Sequence, residues 1–149
     1  LDQGLHDQTL YDQDWVCIAR AGHPRLASGL SAETYANEVH AGIVGGTGQH
    51  LLDTALDNAG LMRRIAVRLP GFLGLPAILA SSDLIATLPR QIGETLAEAG
   101  GLVVHPCPFP IDRFPVRQHW HPRYHHDPAS LWLRGLCTRL FRTAGAAGA

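Results

Sequence analysis

Residues 71–90 read Gly-Phe-Leu-Gly-Leu-Pro-Ala-Ile-Leu-Ala-Ser-Ser-Asp-Leu-Ile-Ala-Thr-Leu-Pro-Arg, and this stretch decides the fold. Residues 72–80 are almost wholly apolar, which predicts a helix that is buried on most faces. The polar residues 81–83 favour a turn, because their short side chains bond to nearby backbone. The apolar run 84–88 is typical of a strand covered on both faces, and a second helix is predicted over residues 91–99. A helix, a turn, a buried strand and a helix form the middle of an α/β domain.

Composition narrows the class of protein. The chain has 149 residues, of which 46% are apolar and 17% charged, as in a globular domain with a core. No apolar run reaches the roughly 18 residues that a membrane helix needs. The net charge of −1, with no basic face, gives no support for a nucleic-acid surface. Cys17, Cys107 and Cys137 are far apart and odd in number, which favours reduced thiols in a cytoplasmic protein over a disulfide framework.

The rest of the chain continues the α/β pattern. We predict strands over Leu10–Arg20, His40–Val44, Arg64–Leu69, Leu102–His105 and Val116–His121, and helices over Leu30–Ala36, Gln49–Asn58 and from Asp127 onward. Asp127 followed by proline is a strong helix start. The residues from Thr143 to the end are rich in Ala and Gly and are expected to form a frayed tail. The chain begins at Leu1, not Met, and we expect it to be a fragment.

A glycine-rich turn, Gly45-Gly46-Thr47-Gly48, separates a predicted strand from the helix that begins at Gln49. Free backbone N–H groups and the positive end of the helix dipole can bind an anion at such a place. The pattern is neither a Walker loop nor a dinucleotide fingerprint, so phosphate is not implied. Two interpretations stay open, an ordinary glycine connection and a ligand site.

The residues give no pattern typical of catalysis. No serine lies in Gly-x-Ser-x-Gly, the three cysteines have no local signature, and the carboxylates are scattered. The densest histidine cluster is His119, His121, His125 and His126, and on a strand the first two would share a face. It lacks a cysteine pair, a Glu-x-x-His or a helical His-x-x-x-His. We therefore expect no enzyme, no catalytic residue, no metal site and no cofactor, and interpret the cluster as surface or pocket-lining histidines.

Several segments together resemble the effector-binding domain of LysR-type transcriptional regulators. They are Trp15–Arg20 with Gly22-His23-Pro24, Ala59–Arg64, Ser82–Pro89, and Trp120–Arg123 with Asp127–Arg134. The last two are the most specific. The ending is similar to the branch that contains NodD-like regulators and regulators answering to aromatic compounds. The resemblance runs from about Leu1 to Phe141, nearly the whole chain.

The resemblance implies a fold like a type 2 periplasmic binding protein, with two α/β subdomains and an effector cleft between them. It places the end of the first pass through subdomain I at residues 1–15, subdomain II at 16–116, the return to subdomain I at 117–141 and a flexible tail at 142–149. This chain would then hold one complete subdomain and part of the other. An N-terminal winged helix-turn-helix, absent from this chain, would make the DNA contacts of a cytoplasmic regulator.

The resemblance also implies functional residues. Those expected to bind the effector are His23 at the crossing between subdomains, Thr47, Gly48, Gln49 and His50 in the glycine-rich turn, Phe72, and His119 on the returning strand. The effector is expected to be a small, aromatic molecule. Helix 49–58 and strand 64–69 match the surfaces that pair subunits in the family, which predicts a dimer or a tetramer. The alternatives are a solute-binding protein of the same fold and, more distantly, a metal-dependent enzyme using the histidine cluster.

Overall fold

The structure, a computed structural model, describes residues 4–46 and 48–145, with side chains described up to residue 141. Its elements are β1 His6–Gln13, β2 Trp15–Arg20, α1 Ala32–Asn37, β3 Val39–Ile43, α2 Gln49–Ala59, β4 Arg64–Leu69, α3 Leu75–Ala80, β5 Ala86–Pro89, α4 Arg90–Gly100, β6 Leu102–Pro106, β7 Phe114–Trp120 and α5 Pro128–Gly145. The chain divides into two compact units. Unit 2 contains residues 14–112, and unit 1 contains the described residues on either side of it.

Unit 2 is built on a mixed sheet with the strand order β4-β3-β5-β2-β6. β3 and β4 are parallel, and β2 runs antiparallel to both β5 and β6. Two backbone hydrogen bonds join β3 to the start of β5: the Ala41 amide donates to the Ile85 carbonyl at 2.9 Å, and the Ile85 amide donates to the Val39 carbonyl at 3.1 Å. The chain therefore passes from β3 outward to β4, and then back across to β5, on the other side of β3.

One face of this sheet is apolar and carries the main core. Its buried members are Val16, Ile18, Ala41, Leu75, Leu79, Ala86, Leu88 and Ala97, supplied by β2, β3, β5, α3 and α4. All four residues of β5 are buried, which confirms the prediction of a strand covered on both faces. α4 approaches β2 closely at Gly93, where an added Cβ would lie 2.5 Å from Cγ2 of Val16.

The opposite face of the sheet buries polar side chains. Thr87 lies between two core residues of β5, so its side chain points to the other face. There its hydroxyl bonds to the Tyr35 hydroxyl of α1 at 2.8 Å and contacts the Cys17 sulfur at 3.5 Å. His40, fully buried in β3, bonds through Nε2 to the Tyr35 carbonyl at 2.8 Å. Among the described residues, Nδ1 of His40 has no hydrogen-bond partner.

Several local predictions are confirmed. Ser31 caps α1 by accepting from the Thr34 amide at 3.1 Å, and Gly60 ends α2 in the left-handed conformation with φ of 65°. Ser81 and Ser82 follow α3 and donate to carbonyls of its last turn, at 2.9 and 2.7 Å. β4 alternates as expected, with its two arginines exposed and its large apolar residues half-buried.

Unit 1 consists of the antiparallel pair of β1 and β7 with α5. The register pairs His6 with Trp120 and Gln13 with Phe114. The Asp127 carboxylate accepts from the Ser130 amide at 2.8 Å, which confirms the predicted cap of α5. α5 continues to Gly145, so residues 143–145 are helical where a frayed tail was expected, and residues 146–149 lie outside the described part of the chain.

Two predicted elements need correction. The single strand expected over residues 10–20 is two strands, β1 and β2, which belong to different units. The helix expected from Phe72 begins only at Leu75, with Pro76 in its first turn. Proline is tolerated in the first turn because the N–H that it lacks would have no partner within the helix there. The units divide at 13/14 and 112/113, against expected boundaries of 15/16 and 116/117.

Candidate functional site

Two loops lie side by side at the carboxyl edge of the unit 2 sheet. Because β3 and β4 are parallel, the segments that follow them emerge at the same edge. The Val44 amide, just after β3, donates to the Leu69 carbonyl at the end of β4 at 2.8 Å. β3 leads out to β4 on one side, whereas β5 leads to β6 on the other, so the strand order reverses between β3 and β5. Open α/β sheets bind ligands outside the carboxyl ends of their strands at such a reversal.

The loop after β3 presents the start of α2. Gly48 precedes the helix in the left-handed conformation, with φ of 85°, and provides no side-chain cap. The first turn carries no acidic residue to offset the positive end of the helix. Gln49 bonds to Asp53 one turn on, at 3.2 Å, and His50 is exposed. Thr47, also expected to bind the effector, lies outside the described residues.

The loop after β4 presents Phe72. Its half-buried ring packs against the apolar core, and the Phe72 carbonyl accepts from the Leu75 amide at 3.1 Å. The two loops therefore bring Gly48, Gln49, His50 and Phe72 to one edge of the sheet. An aromatic ring beside a helix start that lacks an acidic residue suits an aromatic ligand that carries negative charge.

The chain enters and leaves unit 2 at this same edge. Asp14, before β2, forms a two-pronged ion pair with Arg90 at the start of α4, with N–O distances of 2.7 and 3.0 Å. The buried Trp15 indole donates to the Asp112 carbonyl at 3.3 Å. This bond joins the segment that enters unit 2 to the segment that leaves it. Sequence reasoning missed these contacts, because no local motif joins residues so far apart.

His23 lies at the opposite edge of the sheet. β2 is antiparallel, so its end emerges where β3 and β5 begin, and Nε2 of His23 bonds to the Asp83 carbonyl at 2.9 Å. The buried Glu38 lies 3.8 Å from His23 and takes two hydrogen bonds from Arg25, at 2.6 and 2.9 Å. These bonds hold the pKa of Glu38 below its usual value. The expected place of His23 at the crossing is thereby corrected, since the chain crosses at residues 13/14 and 112/113.

His119 lies in unit 1, exposed on β7 opposite Asp7 of β1. β7 ends at Trp120, so His121 does not share the strand face with His119; its Nδ1 accepts from the Arg123 amide at 3.1 Å.

Of the other cluster histidines, His125 lies against the Trp120 ring and His126 packs on His125. The Trp120 indole donates to Nδ1 of His125 at 3.1 Å, and the Arg134 guanidinium lies 4.2 Å from the centre of the Trp120 ring. Within residues 4–46 and 48–145, no group of three or more His, Cys, Asp or Glu is placed to hold a metal ion. In the same part of the chain, no helix is long and apolar enough to cross a membrane.

The sequence matches the LysR substrate binding domain family over residues 1–142. The curated relatives include the transcriptional activators NagR of Ralstonia sp, 33% identical over 145 residues, and NahR of Pseudomonas putida, 32% identical over 142 residues. These alignments cover 97% and 95% of this chain but 48% and 47% of the relatives. Nodulation protein D 1 of Sinorhizobium fredii is 34% identical over 127 residues, 84% of this chain and 39% of that protein.

Solved structures agree with this assignment. A transcriptional regulator from Vibrio parahaemolyticus has a TM-score of 0.81 at 28% identity, over 96% of this chain and 67% of that one. The regulatory domain of MexT, a transcriptional activator in Pseudomonas aeruginosa, has a TM-score of 0.79 at 27% identity. The match covers 93% of this chain and 68% of that one. This confirms the expected periplasmic-binding-protein-like fold, and it favours a regulator over a solute-binding protein. The chain spans about half the length of the curated relatives NagR and NahR, and it belongs to the family of LysR substrate-binding domains.

Proposed function

We propose that this chain is the effector-sensing part of a longer LysR-type transcriptional regulator, and that a small aromatic effector contacts the carboxyl edge of the unit 2 sheet. The observation that carries the proposal is the hydrogen bond from Val44 to Leu69, which sets the two loops of this edge side by side. Gly48 and Gln49 start α2 beside that bond, and Phe72 supplies an aromatic surface. An aromatic carboxylate or phenolate matches both features.

The roles of the individual residues follow from their positions. Backbone N–H groups at the start of α2 would bind the anionic group of the effector, and Gln49 and His50 would add hydrogen bonds from their side chains. Thr47 belongs to the same turn in the sequence and is kept in the proposal on that ground. His119 is kept as a predicted effector residue of unit 1. His23 is left out of the proposal, since its Nε2 bonds to the Asp83 carbonyl at the other edge of the sheet.

Thermal melting with a panel of aromatic acids and phenols tests the proposal. We expect at least one compound to raise the melting temperature of the full-length regulator, since a ligand that binds only the folded state stabilises it. Replacing Gln49 or His50 by alanine should weaken binding about tenfold, the cost of one lost hydrogen bond. Asn58→Ala, at the exposed far end of α2, is the matched control and should bind normally. A panel without any stabilising compound would exclude an aromatic effector.

We further propose that the regulator acts in the cytoplasm as a dimer or tetramer, with DNA contacts made by a domain outside this chain. β4 is an edge strand, since among the described residues only β3 pairs with it. α2 connects β3 to β4, the edge strand. Ala66, exposed in the middle of β4, is the place to test self-association. Ala66→Glu should lower the mass measured by sedimentation, whereas Ala80→Glu, exposed at the end of α3, should leave it unchanged. An unchanged mass for Ala66→Glu would exclude this surface.

A further inference from the structure

Two cysteine side chains meet on the polar face of unit 2. Cys17 is in β2, and its register partner on β6 is His105. Cys107 follows two residues later, one position past the end of β6 at Pro106. Because Pro106 pairs with Val16, this position is the diagonal neighbour of Cys17, and both thiols are free. Two thiols that are remote in the sequence are therefore neighbours across the β2–β6 pair.

The two thiols have different environments. Cys17 is 1% exposed, whereas Cys107 is half-buried and within reach of small molecules in solution. The hydrogen bond from the Cys17 thiol lowers the pKa of Cys107, and the backbone N–H of Phe109 adds to this effect. The same contact, together with burial, raises the pKa of Cys17. Cys107 is thus both the more accessible and the more readily ionised thiol of the pair, and thiolates are the form that reacts with oxidants.

We propose that Cys107 and Cys17 form an oxidisable dithiol, in which Cys107 reacts first with a hydroperoxide and Cys17 then closes a disulfide. The Cys107 thiolate attacks one peroxide oxygen, the O–O bond breaks, and the leaving oxygen takes a proton to become water or an alcohol. Cys107 is then a sulfenic acid. The Cys17 sulfur attacks the Cys107 sulfur, the S–O bond breaks, and the hydroxide leaves as water with the proton of Cys17. The thiols lose two electrons, and the peroxide gains them.

Closing this disulfide requires a local movement. Diagonal neighbours on adjacent strands are about 7–8 Å apart, whereas disulfides span roughly 4.4–6.8 Å between Cα atoms. β6 ends at Pro106, so the segment that carries Cys107 lies outside the strand. We expect this segment to move toward β2 on oxidation. Because Cys17 also contacts Thr87, the movement reaches the buried pair of Thr87 and Tyr35.

Peptide mapping after treatment with hydrogen peroxide tests the proposal directly. The chain has no lysine, and trypsin places Cys17 in the peptide of residues 1–20, Cys107 in 91–113 and Cys137 in 135–139. We expect the first two peptides to appear joined, with a loss of two hydrogens that reduction reverses. The number of free thiols should fall from three to one. The joined peptide should form equally well in Cys137→Ser, the matched control.

Two further variants separate the steps. In Cys107→Ser no disulfide should form, and Cys17 should stay reduced because it is buried. In Cys17→Ala, which removes only the small buried sulfur, Cys107 should stop at the sulfenic acid, which dimedone traps as an adduct. The proposal is overturned if peroxide joins Cys107 to Cys137. It is equally overturned if Cys107 in the unmodified sequence proceeds to the sulfinic acid while Cys17 keeps its thiol.

Discussion

Acidification should destabilise unit 2 through His40. This residue is fully buried in β3, and burial lowers its pKa from 6.5 to about 4. The unfolded chain therefore binds a proton at pH values where folded unit 2 does not. Stability that is present above pH 6.5 is lost as the pH falls toward 4. Because a tenfold change in a protonation equilibrium is worth about 1.4 kcal/mol, the free energy of unfolding should fall by about 2 kcal/mol between pH 7 and pH 5.

Urea titrations at pH 7 and pH 5 measure this loss. Trp15 is buried in unit 2 and reports its unfolding when Trp120 and Trp132 are replaced by phenylalanine. In His40→Gln the amide still donates to the Tyr35 carbonyl but does not titrate, so about 2 kcal/mol of the pH dependence should disappear. His119→Gln, at an exposed histidine, should retain the full dependence. Equal losses of stability in the unmodified sequence and in His40→Gln would refute the reasoning.

Three other substitutions test the packing and the caps. Gly93→Ala should destabilise unit 2 by about 1–3 kcal/mol in urea titrations, because its Cβ meets Val16, while Gly74→Ala, with no atom within 4 Å of its Cβ, should change little. Glu38→Gln should cost about 1–3 kcal/mol in thermal melts, since the buried charge that Arg25 pairs with is lost. Asp127→Ala should cost about 0.5–2 kcal/mol of unit 1 stability and reduce helicity by circular dichroism.

Local patterns predicted the elements of this fold well, because the relevant contacts are close in sequence. The caps at Ser31, Gly60 and Asp127 depend on residues three or four positions away. The alternation of Arg64–Leu69 reports directly on its exposed and half-buried faces. The break between β1 and β2 was missed, since no proline or glycine marks residues 13 and 14. The chain there passes from one unit to the other, and contacts of Asp14 with Arg90 determine where this happens.

The error over His23 has a physical cause. The Gly-His-Pro sequence correctly ends a strand, but whether that end lies at the carboxyl or the amino edge of the sheet depends on strand direction. β2 is antiparallel to β5, and this pairing depends on contacts between distant parts of the chain. The proximity of Cys17 and Cys107 could not be predicted from the sequence for the same reason, because it depends on the register of β2 with β6.

The position of the candidate loops suggests how an effector would act beyond its own contacts. The loops after β3 and β4 share an edge with Asp14 and Asp112, where the chain enters and leaves unit 2. The Trp15 indole bonds to the Asp112 carbonyl, and Arg90, at the start of α4, forms an ion pair with Asp14. A ligand that prefers one arrangement of this edge changes the relative populations of the arrangements, and it needs a difference in affinity to do so. The contacts nearest to the proposed effector loops along this edge are therefore those that hold the ends of unit 2, between Trp15 and Asp112 and between Asp14 and Arg90.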